Sequence, residues 1–440
     1  MNGETVDIVI AGGTVITMDL CKTTLEGGIV VIKDGMIIAV EAGDALKGRF
    51  RAKETIDATG KIVMPGLINT HTHAAMALFR GLADDLPLQE WLEKHIWPAE
   101  AKYMNGEAVR LGTLLAIAEM IRSGTTTFND MYLFENEVAE VARAAGIRAV
   151  VGEGLLDFPT PNKQTPQEGL KYTEWLIEKW RHEPLIMVAV APHSCYACSP
   201  EVLKAAKTIS QKYLVPFHIH LSETKKEAED MRKKCGLTPV AYLESLGVLG
   251  DAVIAAHCIH LTEEDIQLIA CRKVGVAHNP ESDMKLASGV APIPALLAAG
   301  AKVALGTDGP ASNNNLDMFA EMDTAAKLHK VFRDDPTVME ARVVLEMATI
   351  GGARVLGLEE RIGSIEKGKR ADVIVIDLNK PHLVPLYNPY SQVVYAAGGG
   401  DVETVIIEGR AVMGKRKLLT LDEEKLIRDV HAWAGRINSY

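Results

Sequence analysis

The chain has 440 residues, 48% hydrophobic and 24% charged, a balance that suits a globular enzyme with one large domain and one smaller one. Its formal net charge of -11 argues against nucleic acid or an anionic membrane as the main partner, and its longest apolar runs are too short and too rich in proline to span a bilayer. Met1 to Glu4 lack the basic-then-apolar opening of a signal peptide, and six scattered cysteines, with Cys195 and Cys198 as an isolated C-x-x-C, read as reduced thiols of a cytoplasmic protein.

Residues 1–60 alternate polar and apolar positions punctuated by glycine. Asp34-Gly35 between two such runs is a hairpin signal, so this segment is expected to be all β. Ile62 to Ile68 read as one buried strand running into His71-Thr72-His73. From residue 61 onward, apolar runs alternate with helical stretches such as Glu107–Arg122, Pro200–Tyr213 and Glu263–Cys271. The strand-like runs include Thr125–Asn129, Ala149–Gly154, Leu185–Ala191, Val215–Leu221, Ala252–His257, Gly275–His278 and Lys302–Thr307. Eight strands each followed by helix predict a (β/α)8 TIM barrel over 61–357. The alternative, a doubly wound open sheet, lacks a G-x-G-x-x-G in its first turn. After Gly357 the pattern is β again over 358–420, with strands expected at Ala371–Asp377, Val393–Tyr395, Val402–Ile407 and Ala411–Met413, and a last helix lies within 421–440. The two β-rich ends are expected to join as one small β-sandwich beside the barrel.

In a barrel, chemistry collects at the C-terminal ends of the strands. Seven of the 13 histidines fall there: His71, His73, His193, His218, His220, His257 and His260, with His278 an eighth. Structural histidines have no reason to gather at one end, so the pattern points to a metal site. Three imidazoles plus a carboxylate with one position open make the ligand set of a hydrolytic centre, and an unligated carboxylate must then carry the proton. Glu223, three residues past His220, suits that task; equally, it could be a carboxylate that stabilises a helix N-terminus.

Pro65 to His73, His218 to Thr224, His257-Cys258-Ile259-His260, Gly306 to Gly309 and Gly363 to Asp372 together resemble the amidohydrolase superfamily. Within it, Trp97 to Glu100, Ala191 to Ser194, His220 to Glu223 and Asp308 to Asn315 are similar to the 5'-methylthioadenosine/S-adenosylhomocysteine deaminases. The resemblance implies a hydrolase acting on the C–N bond of a cyclic amidine, releasing ammonia and the inosine analogue. It implies His71, His73, His220 and Asp308 as metal ligands. Glu223, His257 and Asp308 would be catalytic: Glu223 as proton shuttle, His257 orienting the hydroxide, Asp308 accepting its proton. Glu100 would bind the ribose hydroxyls, His193 a purine nitrogen, and Ser312 the nucleoside. Strand four has no lysine to bridge a second ion, so one divalent ion is implied, zinc by default, with iron or manganese sharing the same donors. The partner would be a small nucleoside, and the chain a homo-oligomer.

Relatives that use S-adenosylhomocysteine carry an arginine near the end of strand three, where Glu153 stands here. A glutamate there would repel the substrate carboxylate, which favours 5'-methylthioadenosine, 5'-deoxyadenosine or adenosine; the alternative makes Glu153 a solvated rim carboxylate, and the loop that follows, Asp157 to Gly169, has Lys163 but no arginine. Two other functions compete: hydrolysis of another aminoheterocycle (guanine, a pterin or a triazine), and a non-enzymatic scaffold on a dead barrel. Glu223 favours an amine leaving group, Glu100 a nucleoside. Trp91 and Trp97 line a pocket mouth or pack in the core.

Overall fold

The computed structural model describes residues 3–46 and 48–437; Met1 and Asn2 of the N-terminal stretch lie outside them. The N-terminal segment is all β: β1 (Glu4–Ile16), β2 (Thr24–Lys33), β3 (Met36–Ala42), β4 (Phe50–Asp57) and β5 (Lys61–Pro65). Asp34 and Gly35 make the expected hairpin turn, with Lys33 opposite Met36 and left-handed φ of 50° and 77° at the turn residues.

The apolar run from Ile62 to Ile68 is two strands, not one. β5 pairs with β1 in the N-terminal sheet, whereas β6 (Leu67–Thr72) is the first strand of the barrel. The chain crosses between them at Gly66, where a Cβ would lie 2.2 Å from the Thr126 side chain. The barrel therefore starts at Leu67 rather than at residue 61. Both strands are buried on both faces, so their sequences merge into one continuous apolar signal.

β7 (Thr125–Tyr132), β8 (Arg148–Leu155), β9 (Ile186–Val188), β10 (Ala191–Pro192), β11 (Phe217–Leu221), β12 (Val253–His257), β13 (Gly275–His278) and β14 (Lys302–Leu305) continue the barrel, β9 and β10 both pairing with β8 in the fourth position. Every pairing is parallel. Two seams close the ring. At one, Val190 N donates to Pro216 O at 2.8 Å and His218 N to Val190 O at 2.9 Å; at the other, Asp308 N donates to His71 O at 3.0 Å. This is the expected TIM barrel. Its helices start where the sequence supplies caps: Ser199 and Thr238, each followed by proline, accept from Val202 N and Ala241 N.

β15 (Val373–Asp377), β16 (Val402–Ile407), β17 (Arg410–Gly414) and β18 (Lys417–Leu418) complete the N-terminal strands. The result is one nine-stranded sheet, ordered β18-β17-β16-β15-β5-β1-β2-β3 with β4 beside β1. Ile8, Ile10, Val30 and Ile32 pack there with Val373, Val375 and Ile406, so both chain ends share a core. Val393 to Tyr395 are helical, not a strand: they lie in the helix Pro389–Tyr395, whose Asn388 side chain accepts from Tyr390 N and Ser391 N. That cap, with proline at the first helical position, overrides the β preference of two valines. The last helix, Glu423–Ala434, sets Trp433 against Phe79 and Tyr103. Among the described residues no helix is long and apolar enough to cross a membrane.

Sheet and barrel are joined by a buried charge cluster. Arg148 at the start of β8 donates through Nε to Asp372 at 3.2 Å and through Nη2 to Asp372 and Glu408, while Glu408 N donates to Asp372 at 2.8 Å. Arg148→Ala leaves the buried Asp372 without its cation, while Glu408 keeps Arg370 Nη1 at 3.2 Å. It should cost about 3–5 kcal/mol, read as a lower denaturant midpoint; an unchanged midpoint would show that the cluster is not what couples the two parts.

Candidate active site

His71 lies on β6, and His73 follows it by two residues, on the same face. His220 lies on β11, His257 ends β12, and Asp308 follows β14 by three residues. The barrel brings these five side chains together. Asp308 Oδ1 lies 3.3 Å from His71 Nε2 and 3.2 Å from His73 Nε2, and the Nε2 atoms of His73 and His220 are 3.3 Å apart. His71, His220 and His257 form a second convergent trio that shares His71 with the first. His257 and Asp308 hold left-handed φ of 72° and 59°, a conformation uncommon for such residues, which turns their side chains inward at the strand ends.

Each ring is aimed from behind. His73 Nδ1 donates to Met131 O at 2.5 Å, His220 Nδ1 to His193 O at 2.7 Å, and His71 Nδ1 lies 2.9 Å from His218 Nε2. With Nδ1 of His73 and His220 keeping its proton to donate to a carbonyl, Nε2 carries a free lone pair toward the centre, which is how metal-ligating histidines are held. His71 Nε2 is buried with no hydrogen-bond partner. Burial also pushes the His71 imidazole down to about 3, so it is a neutral donor. The residues present therefore fit a divalent cation bound by imidazole and carboxylate.

Two residues that sequence reasoning missed support this group. Ser282 Oγ and Ser312 Oγ both donate to Asp308 Oδ2, at 2.6 and 2.7 Å, and Asp283 Oδ1 accepts from His257 Nδ1 at 2.8 Å. Ser282 and Asp283 sit on the six-residue helix Pro280–Lys285 behind strand seven, too short to leave a periodic signal. Burial disfavours charge on His257, yet the carboxylates of Glu223, Asp283 and Asp308 outweigh it and raise it to about 10.

One cavity opens onto this cluster. His73, His193, His220, Glu223, His257, Asp308 and Ser312 line its floor, while Glu100, Trp91, Trp97, Tyr132 and Phe158 stand along its sides. Both tryptophans thus line it. Glu223 Oε2 is 3.9 Å from His257 Nε2. Burial pushes its carboxyl up to about 7. The helix-terminal role falls elsewhere: Thr224 caps the helix Lys225–Cys235, and Glu227 accepts from Ser222 N and Glu223 N. Glu100 accepts from Tyr132 Oη at 2.7 Å and is likewise pushed up to about 7 by burial. The His193 imidazole is held down to about 3, first by burial.

Glu153 requires a correction. It is wholly buried and belongs to neither the cavity wall nor the solvated rim. Its oxygens accept from Glu135 N at 3.0 Å and Asn162 Nδ2 at 2.6 Å, because β8 turns this side chain away from the barrel mouth. Lys163 turns inward beside it and does not line the cavity either. His278 is also outside the cluster, its Nε2 3.0 Å from His329 Nε2. His260 Nε2 donates to Ser288 O, and Cys195 and Cys198 are buried thiols raised by desolvation.

Residues 62–412 match the model of the Amidohydrolase family. The chain is 55% identical over 437 residues to a 5-methylthioadenosine/S-adenosylhomocysteine deaminase of Syntrophobacter fumaroxidans, covering 99% of this chain and 100% of the relative. It is 46% identical to a 5'-deoxyadenosine deaminase of Methanosarcina acetivorans, covering 98% of each. An adenosine deaminase from Xanthomonas campestris with bound zinc superposes with a TM-score of 0.98 at 42% identity, over 100% of both chains.

Proposed function

We infer, for a chain that belongs to the amidohydrolase family, the hydrolytic deamination of adenosine-type nucleosides: the C6–N bond of the purine breaks, a C6–O bond forms, and the inosine analogue leaves with ammonia. The observation that carries this reading is the pairing of two carboxylates in one cavity, Glu223 beside His257 and Glu100 beside Tyr132. An amine leaving group needs a proton, and a ribose needs a hydroxyl acceptor.

His71, His73, His220 and Asp308 are the residues we assign to hold one divalent ion. The zinc of the Xanthomonas relative supports zinc here, as does the imidazole-carboxylate donor set. When bound, such an ion supplies the Lewis acidity that makes water a nucleophile near neutral pH. Asp308, steadied by Ser282 and Ser312, takes up the proton of the attacking water. His257, fixed by Asp283, orients that water. Glu223 moves a proton to N1 of the purine and then to the departing nitrogen. His193 donates to a ring nitrogen. Tyr132 occupies one oxygen of Glu100 and leaves the other to accept from the ribose hydroxyls.

Among the described residues, no lysine or arginine lines the cavity. This supports a small, uncharged 5' group, as in 5'-methylthioadenosine, 5'-deoxyadenosine or adenosine, over the amino-acid tail of S-adenosylhomocysteine. Six free cysteines support a reducing, cytoplasmic setting. A homo-oligomer is part of the same reading, and sizing chromatography tests it.

A panel of adenosine derivatives and other aminoheterocycles, scored by ammonia release, tests the function; release from triazine or guanine but from no adenosine derivative would overturn it. His73→Ala and Asp308→Ala should each lose both bound metal and turnover, and full metal content with normal turnover in either would sink the ligand assignment. Glu223→Gln should keep its metal, measured by elemental analysis, and lose about 10²–10⁴-fold in kcat. Loss of the metal instead would make Glu223 a ligand.

A further inference from the structure

Glu153 does not touch the cavity, but the loop it holds does. The chain leaves β8 at Leu155 and enters the helix Pro166–Trp180 after Thr165. Between them, Phe158, Pro159, Thr160 and Pro161 form part of the cavity wall. The Phe158 ring lies 5.3 Å from that of Trp97, which is one helical turn before Glu100. This wall therefore stands at the Glu100 end of the cavity.

What sets the loop is buried beneath it. Thr160 N donates to Lys163 O at 2.8 Å, closing a tight turn that points Asn162 and Lys163 inward. Asn162 Nδ2 donates to Glu153 at 2.6 Å, and Lys163 Nζ lies 3.7 Å from the same carboxylate oxygen. Lys163 Nζ also sits 3.6 Å from the centroid of the Tyr172 ring, whose hydroxyl accepts from Asn136 N. On its other side Glu153 accepts from Glu135 N at 3.0 Å, which ties it to the rigid start of the helix Glu135–Ala145. Lys163 is the one cation between Leu156 and Thr165, and these contacts turn it away from the cavity.

We propose that Glu153 is a specificity-determining residue that acts without touching substrate: by tethering Asn162 and Lys163 it sets Phe158 to Pro161 as an apolar end wall against the 5' group of the nucleoside. This rests on the deaminase reading above. A buried carboxylate of this kind holds its partners firmly, because any partner that leaves exposes an unpaired buried charge. The wall it sets packs against a methylthio or methyl group. The same wall offers no cation to a carboxylate and little room to a long polar tail.

Steady-state kinetics on 5'-methylthioadenosine and S-adenosylhomocysteine test the proposal with Glu153→Ala, Glu153→Gln and Asn162→Ala. Glu153→Ala and Asn162→Ala should raise KM for 5'-methylthioadenosine about tenfold, the weight of one hydrogen bond to a charged group, with kcat held within about twofold. The preference for 5'-methylthioadenosine, as a ratio of kcat/KM values, should shrink about fivefold or more. Glu153→Gln keeps one acceptor oxygen but loses the other and the charge that faces Lys163, so it should fall between the wild type and Glu153→Ala. A merely structural role would lower the melting temperature and both activities together without moving that ratio. Should Glu153→Ala fail to fold, Asn162→Ala decides, since Asn162 is a half-buried loop residue. An unchanged ratio in a folded variant, or equal losses on both substrates, overturns the proposal. A wild type that deaminates no adenosine-type nucleoside would instead overturn the function on which it rests.

Discussion

The centre of this site is defined by hydrogen bonds made on its outside. His73 is committed to Met131 O, His220 to His193 O and His257 to Asp283, each through Nδ1, and each Nε2 is thereby aimed at the same small volume. The acceptors come from a neighbouring strand, a loop and a short helix, not from the elements that carry the rings. The aim of one imidazole thus depends on the strand beside it, and the group as a whole depends on the ring being closed. The Asp308 N to His71 O bond does both jobs, joining the last strand to the first and fixing the spacing of two of the side chains. In such an arrangement orientation precedes any ligand, so little reorganisation is left for binding.

The cavity separates its polar groups by what surrounds them. Glu223 and Glu100 are carboxyls raised to a similar extent by burial, yet Glu223 faces an imidazole cluster and Glu100 a phenol. Neighbours, more than intrinsic acidity, distinguish a proton carrier from a hydroxyl acceptor. Between them the walls are aromatic and aliphatic, which suits a flat heterocycle joined to a sugar.

Much of this was legible in the sequence because two periodicities did the sorting. Alternation of apolar strands and helices gave the barrel, and its geometry turned scattered histidines into one group at one end. His71, His73, His220, His257 and Asp308 were readable because each follows an apolar run directly. Asp283 and Ser282 were not, since they lie on a single turn of helix with no periodic neighbours. The boundary at Gly66 was invisible because two strands buried on both faces carry no alternation to mark where one sheet ends. Glu153 was misread for a related reason: position along a strand gives depth but not which partners, here Glu135 N and Asn162, claim the side chain near the strand's C-terminal end. The helix at Pro389–Tyr395 was lost to two valines whose β preference a single asparagine cap outweighed.

The sheet shared by both chain ends has a consequence for the order of events at the ribosome. β5 pairs on one edge with β1, made just before it, and on the other with β15, where Val63 stands opposite Val375 about 300 residues later. At elongation rates of roughly 5–20 residues per second, the second edge stays open for roughly 15–60 s while the entire barrel is synthesised. Throughout that interval the nascent chain displays an apolar strand with unpaired backbone groups, a template for pairing with any other extended segment. Loss of material during production is then governed by how long synthesis keeps that edge waiting, and the stability of the finished molecule enters only afterwards.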